Sequence, residues 1–139
     1  MINQSFINEA YTYASYRELL DNLLQQGKTT GTNQSESMVN YATLNERRMK
    51  KWDKIGKIIP ELMDKLMSID QKMTWLVVTE GWCGDAAQNL PFLNKMAELN
   101  PNIDLRFVLR DENLPLIDAF LTNGGRSIPK LIALDSELS

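Results

Sequence analysis

Apolar residues recur at helical intervals through the first half of the chain and predict two long helices. The first runs from about Ile7 to Gln26 and ends before a glycine, a common residue just past a helix end. Residues 28–40 are mostly small and polar, follow neither the helical nor the strand period, and predict a loop. The second helix starts at about Tyr41. Because a proline inside a helix removes a backbone hydrogen bond, we expect a kink, or a break before a fresh helix over Pro60–Ser68.

The pattern changes at residue 73, where β-branched and aromatic residues become frequent. It predicts a strand over about Met73–Thr79, a helix from about Gly84 to Leu99, and a strand over Ile103–Leu109. A strand, a helix and a strand of this length form a βαβ unit. The two strands should therefore lie parallel, with a right-handed crossover between them.

A short helix and a final strand follow this unit. The helix is capped by residues 111–113 and runs to about Leu121, with Leu116, Ile117 and Phe120 facing inward. The strand covers Lys130–Leu134. The whole pattern predicts an α/β protein in which an N-terminal helical extension, residues 1–72, packs on a core of residues 73–139.

Basic residues cluster on one face of the second helix: Arg47, Arg48, Lys50, Lys51, Lys54 and Lys57. In one interpretation this face is a solvated helix surface. In the other it is a docking face for an acidic partner or a small anionic thiol. The first helix also has two interpretations, since its apolar face can pack on the core or on a neighbouring subunit. The oligomeric state therefore stays open.

The composition narrows the class of protein. The formal net charge of -3 lacks the basic excess typical of nucleic-acid-binding proteins. The first residues lack the basic and then apolar pattern of a signal peptide, and no apolar run is long enough to span a membrane. We therefore expect a cytoplasmic protein with neither nucleic-acid nor membrane partners.

Cys83 is the single cysteine of a chain that has no histidine. An internal disulfide, a Cys–His nucleophile pair and the commoner zinc sites are therefore excluded, and we expect neither a metal nor a cofactor. Cys83 lies where a strand leads into a helix. Free N–H groups and the helix dipole favour an anion there, so a thiolate should form more easily than in free cysteine. The charge of Asp85 opposes this effect.

The segment Trp82-Cys83-Gly84-Asp85-Ala86 resembles the Trp-Cys-Gly-Pro-Cys active site of the thioredoxin superfamily. Asp85 stands in place of the proline, and Ala86 stands in place of the second, resolving cysteine. Valine also occupies the position, six residues before the cysteine, where many thioredoxins bury an aspartate that moves protons. The resemblance is thus to a bacterial-type thioredoxin-like protein with a single active-site cysteine.

A second motif supports this resemblance. Glycines at 124 and 125, then Ile128-Pro129 and an apolar strand, resemble the family's cis-proline loop, which faces the active-site cysteine. The resemblance implies a thioredoxin-like fold, made of the βαβ unit and an antiparallel strand after the cis-proline. The family's hairpin strand and closing helix have no counterpart after Leu134, so we expect the domain to be C-terminally incomplete, or its edge to be covered by something else.

The resemblance implies thiol–disulfide exchange through Cys83, with Trp82, Gly84, Asp85, Ile128 and Pro129 binding the substrate. Its partners would be a protein or small-molecule disulfide and an external thiol that releases the mixed disulfide. The chain would then be a thiol–disulfide oxidoreductase. Two alternatives stay open: a redox-inactive binding module that uses the same groove, and a sensor in which oxidation of the thiol links two chains.

Overall fold

The structure is a computed structural model, and it describes residues 2–139. Within these residues six α-helices, three strands and one 3-10 helical turn follow one another. In chain order they are α1 (Gln4–Glu9), α2 (Tyr13–Gln25), α3 (Glu36–Ile55), α4 (Pro60–Met67), β1 (Met73–Thr79), α5 (Gly84–Glu98), β2 (Ile103–Leu109), the 3-10 turn (Arg110–Glu112), α6 (Leu114–Asp118) and β3 (Lys130–Leu134). This order confirms the predicted α/β class.

The strands of residues 2–139 form one sheet in the order β2-β1-β3. β1 and β2 are parallel, with Met73 opposite Ile103. β1 and β3 are antiparallel, with Val78 opposite Lys130. Every residue of β1 after the first is buried, which explains why this central strand reads as a continuous apolar run. The predicted βαβ unit and the antiparallel third strand are both confirmed.

The two faces of the sheet carry separate apolar clusters, because successive side chains of a strand point to opposite faces. Trp75 and Val77 of β1 belong to a cluster that includes residues of α2, α3 and α5. Leu76 and Val78 belong to the other cluster, which includes residues of α1 and α6. Helices that precede the sheet in the chain therefore contribute to the core on both of its faces.

The single helix predicted over residues 7–26 is wrong, because two helices lie there. Tyr11 separates them by pairing with β2: its N–H donates to the Phe107 carbonyl at 2.9 Å, and the Phe107 N–H donates to the Tyr11 carbonyl at 2.8 Å. Thr12 then caps α2, since its hydroxyl accepts from the Ser15 N–H at 3.1 Å. A contact with a distant strand thus interrupts a pattern that is helical by spacing alone.

The second predicted helix starts earlier than expected, and its break is confirmed. Ser35 caps α3 by accepting from the Met38 N–H, so the loop predicted over 28–40 ends before α3 begins at Glu36. α3 ends at Ile55. Pro60 then lies in the first turn of α4, where a missing N–H removes no helical hydrogen bond.

The helix predicted from 111 to about Leu121 is shorter than expected. Asn113 has a non-helical backbone, φ -138° and ψ 47°, and separates the 3-10 turn from α6. Leu116 and Ile117 are buried as predicted, whereas Phe120 is 37% exposed and does not face inward. The reason is that α6 ends at Asp118, so Phe120 lies beyond the helix rather than on its buried face.

Residues 2–139 contain neither a membrane-spanning helix nor a cluster of metal ligands. None of the helices in this range combines the length and the apolar character that a membrane span requires. Within the same range, no three His, Cys, Asp or Glu side chains come together in a way that could hold a metal ion.

Candidate functional site

Cys83 lies in the turn that joins β1 to α5 and occupies the N-cap position of α5. Its N–H donates to the Glu80 carbonyl at 3.1 Å, which closes the turn. Its side chain accepts no capping hydrogen bond, but the backbone N–H groups of Ala86 and Asp85 act on the sulfur and lower the pKa of the thiol. The side chain is 9% exposed, so the sulfur is largely but not fully withdrawn from solvent. The predicted position at the junction of strand and helix is confirmed.

The Ile128–Pro129 peptide bond is cis. The Cys83 thiol donates to the Ile128 carbonyl, with 3.5 Å between Sγ and the oxygen. Two segments that lie 45 residues apart in the chain therefore meet at the sulfur, as the resemblance implied.

A cavity of about 520 Å³ opens beside the sulfur, between α3 and the start of α5. Its lining includes Trp82, Cys83, Gly84 and Asp85 from the turn, and Met38, Tyr41, Leu44, Asn45 and Arg48 from α3. Three of the predicted substrate-binding residues therefore face one shared space. The other two, Ile128 and Pro129, belong to the cis-proline loop, which reaches the sulfur through a carbonyl.

Asn45 fixes α3 against the cysteine turn. Its side chain is 1% exposed. Its amide donates to the Gly81 carbonyl at 3.1 Å, and its oxygen accepts from the Arg48 guanidinium at 3.2 Å. One buried side chain thus holds the turn and positions the arginine that lines the cavity.

Arg110 links Trp82 to the cis-proline loop. Its guanidinium lies 5.1 Å from the centroid of the Trp82 ring, a distance typical of a cation–π contact. It also pairs with Asp111 at 3.1 Å and donates to the Arg126 carbonyl at 3.3 Å. Arg110 therefore contacts both Trp82 and the cis-proline loop.

A family model described as Thioredoxin matches residues 31–139 of the chain. The chain belongs to the thioredoxin family. The match starts before α3, so the cavity lies within the part of this thioredoxin-family chain that the model covers. None of the curated proteins matches the chain.

Two solved structures share the thioredoxin-like fold. One is a protein of unknown function from Pseudomonas aeruginosa, with 20% identity, a TM-score of 0.68, and coverage of 100% of this chain and 74% of the other. The second is an HIV epitope scaffold, with 22% identity, a TM-score of 0.57, and coverage of 93% of this chain and 73% of the other. At these identities the likeness concerns the fold alone.

The environment of this thioredoxin-family thiol favours the protonated form. Burial raises the pKa of Cys83 and outweighs the N–H groups of Ala86 and Asp85, which lower it. The charge of Asp85 raises the pKa further, while Arg110 lowers it. The expectation of an easily formed thiolate is therefore wrong for the resting protein, because desolvation exceeds the effect of the helix start.

We predict that alkylation of Cys83 by iodoacetamide follows an apparent pKa above the value of about 8.5 for free cysteine. Replacing Asp85 by asparagine removes a charge that disfavours the thiolate, and should raise the alkylation rate at neutral pH by about two- to fivefold. Glu98→Gln, at the far end of α5, is the matched control and should leave the rate unchanged. An apparent pKa below that of free cysteine would contradict this prediction.

Glu80 is a buried carboxyl group beside the thioredoxin-family turn. Its side chain is 0% exposed, and one of its oxygens accepts from the Asp111 N–H at 3.0 Å. Burial raises its pKa, although hydrogen bonds from Thr30 and from the Asp111 backbone partly oppose this. Folding therefore favours the protonated form of Glu80.

The raised pKa of Glu80 gives a pH dependence of stability with a definite sign. The folded state holds the Glu80 proton more tightly than the unfolded state, so the unfolding free energy should fall as the pH rises from about 4.3 through the folded-state pKa. Glu80→Gln removes this titration, and should therefore gain stability relative to wild type over that range. Chemical denaturation at several pH values tests this, with the exposed Glu61→Gln as the control. A difference that shrinks with rising pH would contradict it.

Three residues of the site had no place in the sequence analysis: Asn45, Glu80 and Arg110. Each of them has a feature of the sequence that could have indicated it. Glu80 and Arg110 directly follow β1 and β2, and the carboxyl ends of parallel strands meet at one edge of a sheet. Asn45 is a polar residue on the buried face of α3, between the buried Ala42 and Met49, and a buried amide requires a partner.

Proposed function

We propose that this thioredoxin-family protein carries out thiol–disulfide exchange through its single active-site cysteine. The supporting observation is that the Cys83 sulfur lies at the start of α5, beside the Ile128 carbonyl and on the wall of an open cavity. A disulfide can approach the sulfur from this cavity. The N–H groups of Asp85 and Ala86 then stabilise the negative charge that develops as the thiol loses its proton.

The exchange takes two steps. In the first, the Cys83 thiol gives its proton to solvent, and the thiolate attacks one sulfur of a disulfide RS–SR. The disulfide bond breaks, a bond from Cys83 to one RS group forms, and the other RS group leaves as a thiolate that takes up a proton. In the second, an external thiolate R′S⁻ attacks the RS sulfur. The bond from Cys83 to sulfur breaks, Cys83 leaves as a thiolate that takes up a proton, and the product is the mixed disulfide RS–SR′.

The second step needs an external thiol because Ala86 stands where a resolving cysteine would attack. A low-molecular-weight thiol or a cysteine of a partner protein can supply it. A pool of reduced thiol is characteristic of the cytoplasm, so the proposal includes a cytoplasmic location. We assign no metal or cofactor to the reaction, since both steps exchange bonds between sulfur atoms.

The residues around the sulfur bind the substrate in this proposal. Trp82, Gly84 and Asp85 bound the cavity, and a Cβ atom at Gly84 would be in van der Waals contact with the Arg48 guanidinium, at 3.4 Å. Ile128 and Pro129 present the main chain of the cis-proline loop, to which an extended substrate segment adds like a short strand.

The second candidate function is a redox-inactive binding module that uses the same groove. The raised pKa of Cys83 favours it, since a protonated thiol attacks disulfides slowly. In that case the cavity and the cis-proline loop bind a partner without a covalent step.

Reaction with a neutral probe separates the two functions. Reduced protein is incubated with bis(2-hydroxyethyl) disulfide at increasing pH, and the intact mass is followed. We expect the mass of one hydroxyethylthio group on Cys83, formed faster as the pH rises and removed by dithiothreitol. Cys83→Ser should gain no mass. If folded wild-type protein forms no adduct while the denatured protein does, exchange is excluded and the binding module is favoured.

A further inference from the structure

The cavity beside Cys83 is lined by apolar side chains and by three polar ones, those of Asn45, Arg48 and Asp85. Met38, Tyr41 and Leu44 form its α3 wall, and Tyr41 and Leu44 are 55% and 42% exposed, so this wall presents apolar surface to a ligand. Its volume of about 520 Å³ lies within the range of small-molecule pockets, about 300–1,000 Å³. The space therefore suits a compact ligand with a short apolar chain.

The positive charge of Arg48 at this cavity is not paired with a carboxylate of residues 2–139. Four of the six arginines form an ion pair with a carboxylate: Arg17, Arg106, Arg110 and Arg126. Within residues 2–139 Arg47 and Arg48 form none, and of these two only Arg48 is half-buried. One nitrogen of its guanidinium donates to Asn45, which leaves further N–H donors of a half-buried group free to bind a ligand.

Arg48 also lies beside the residue that follows the reacting cysteine. Its guanidinium nitrogen lies 3.4 Å from the position of a Cβ atom at Gly84, the residue that follows Cys83. The neighbouring Arg47, Lys50 and Lys51 add positive potential along α3. Asp85 lines the same cavity, so a ligand carboxylate should lie on the Arg48 side of it.

We propose that the cavity binds a low-molecular-weight thiol, in the form of its disulfide, through a carboxylate that pairs with Arg48. The inference rests on the proposed exchange at Cys83 and names its small-molecule substrate. The RS group that becomes bonded to Cys83 occupies the cavity, the other RS group leaves as a thiolate and takes up a proton, and Arg48 holds the carboxylate throughout. An extended protein substrate would instead contact the cis-proline loop.

The test compares two disulfides with the same carbon and sulfur backbone, 3,3′-dithiodipropionate, which has a carboxylate at each end, and its neutral dimethyl ester. The measured quantity is the rate constant for adduct formation at Cys83 with the acid, divided by the rate constant with the ester. We expect Arg48→Gln to lower this ratio about tenfold by slowing the acid alone, because one charge-assisted contact is lost. Arg47→Gln, an exposed arginine on the same helix, removes the same net charge and should change the ratio by less than about twofold.

Equal effects of Arg48→Gln and Arg47→Gln, or no effect of either, would overturn the inference while leaving exchange at Cys83 intact. If neither disulfide reacts, the proposed exchange itself fails, and binding decides the inference separately. The probe is then 3,3′-thiodipropionate, a thioether that cannot react, added to Cys83→Ser protein and followed by amide chemical shifts. Saturable shifts of residues 45–48 and 82–85 that Arg48→Gln abolishes would support the cavity as an acid-binding site, and their absence would overturn it.

Discussion

Phe107→Ala is expected to lower the unfolding free energy by about 3–5 kcal/mol, the largest loss that we predict for a single substitution. The Phe107 side chain is 0% exposed. Its ring stacks on Tyr16 of α2, with centroids 5.3 Å apart, and contacts Tyr13 at 5.9 Å. Its backbone also pairs with Tyr11. Removing the ring therefore leaves a cavity at the junction between the N-terminal helices and the sheet.

Denaturant unfolding measures this loss, and two further variants establish its cause. Phe107→Leu keeps most of the volume and should cost about 1–2 kcal/mol. A double-mutant cycle with Tyr16→Leu should give a coupling energy of about 0.5–1.5 kcal/mol, as expected for a packed aromatic pair. We expect one transition by both fluorescence and circular dichroism. A loss below about 1 kcal/mol for Phe107→Ala would contradict the packing of α2 on the core.

Asn45→Ala is expected to cost about 2 kcal/mol and to slow adduct formation at Cys83. The substitution removes the amide that satisfies the buried Gly81 carbonyl, and an unpaired buried carbonyl is costly. It also frees Arg48 from the oxygen that positions it. The cysteine turn and the cavity wall therefore loosen together, so both stability and reactivity should fall.

Asn40→Ala is the matched control for Asn45→Ala. Asn40 is an exposed residue of the same helix, so its substitution should change the unfolding free energy by less than about 0.5 kcal/mol. Denaturant unfolding and the rate of reaction with bis(2-hydroxyethyl) disulfide are measured for both variants. Equal stability of the two would show that the hydrogen bond to Gly81 contributes nothing.

The sequence sufficed for the parts of the fold that depend on local patterns. The apolar run of β1, the helical spacing of α5 and the run of β2 define a βαβ unit, and strand pairing then follows from general rules of chain topology. The same local patterns predicted the position of Cys83 at the start of α5. The approach of Ile128 to the sulfur needed the family resemblance, because the two segments lie 45 residues apart.

Features that depend on contacts between distant parts of the chain could not be predicted from the sequence. Tyr11 ends α1 by pairing with Phe107, and its own neighbours in the sequence give no sign of that contact. The cavity lies between α3 and the start of α5, where Asn45 contacts Gly81 across 36 residues. The pKa of Cys83 rises for the same reason: the helix start is visible in the sequence, whereas the burial that outweighs it arises only when the chain folds.

Turnover with an external monothiol tests the central proposal most directly. Catalytic amounts of protein are added to bis(2-hydroxyethyl) disulfide and excess 2-mercaptoethanesulfonate, and the mixed disulfide of the two is quantified over time against the uncatalysed exchange. We expect wild-type protein to accelerate its formation, increasingly so as the pH rises, and Cys83→Ser to give the uncatalysed rate. A wild-type rate equal to that of Cys83→Ser at every pH would contradict exchange through Cys83.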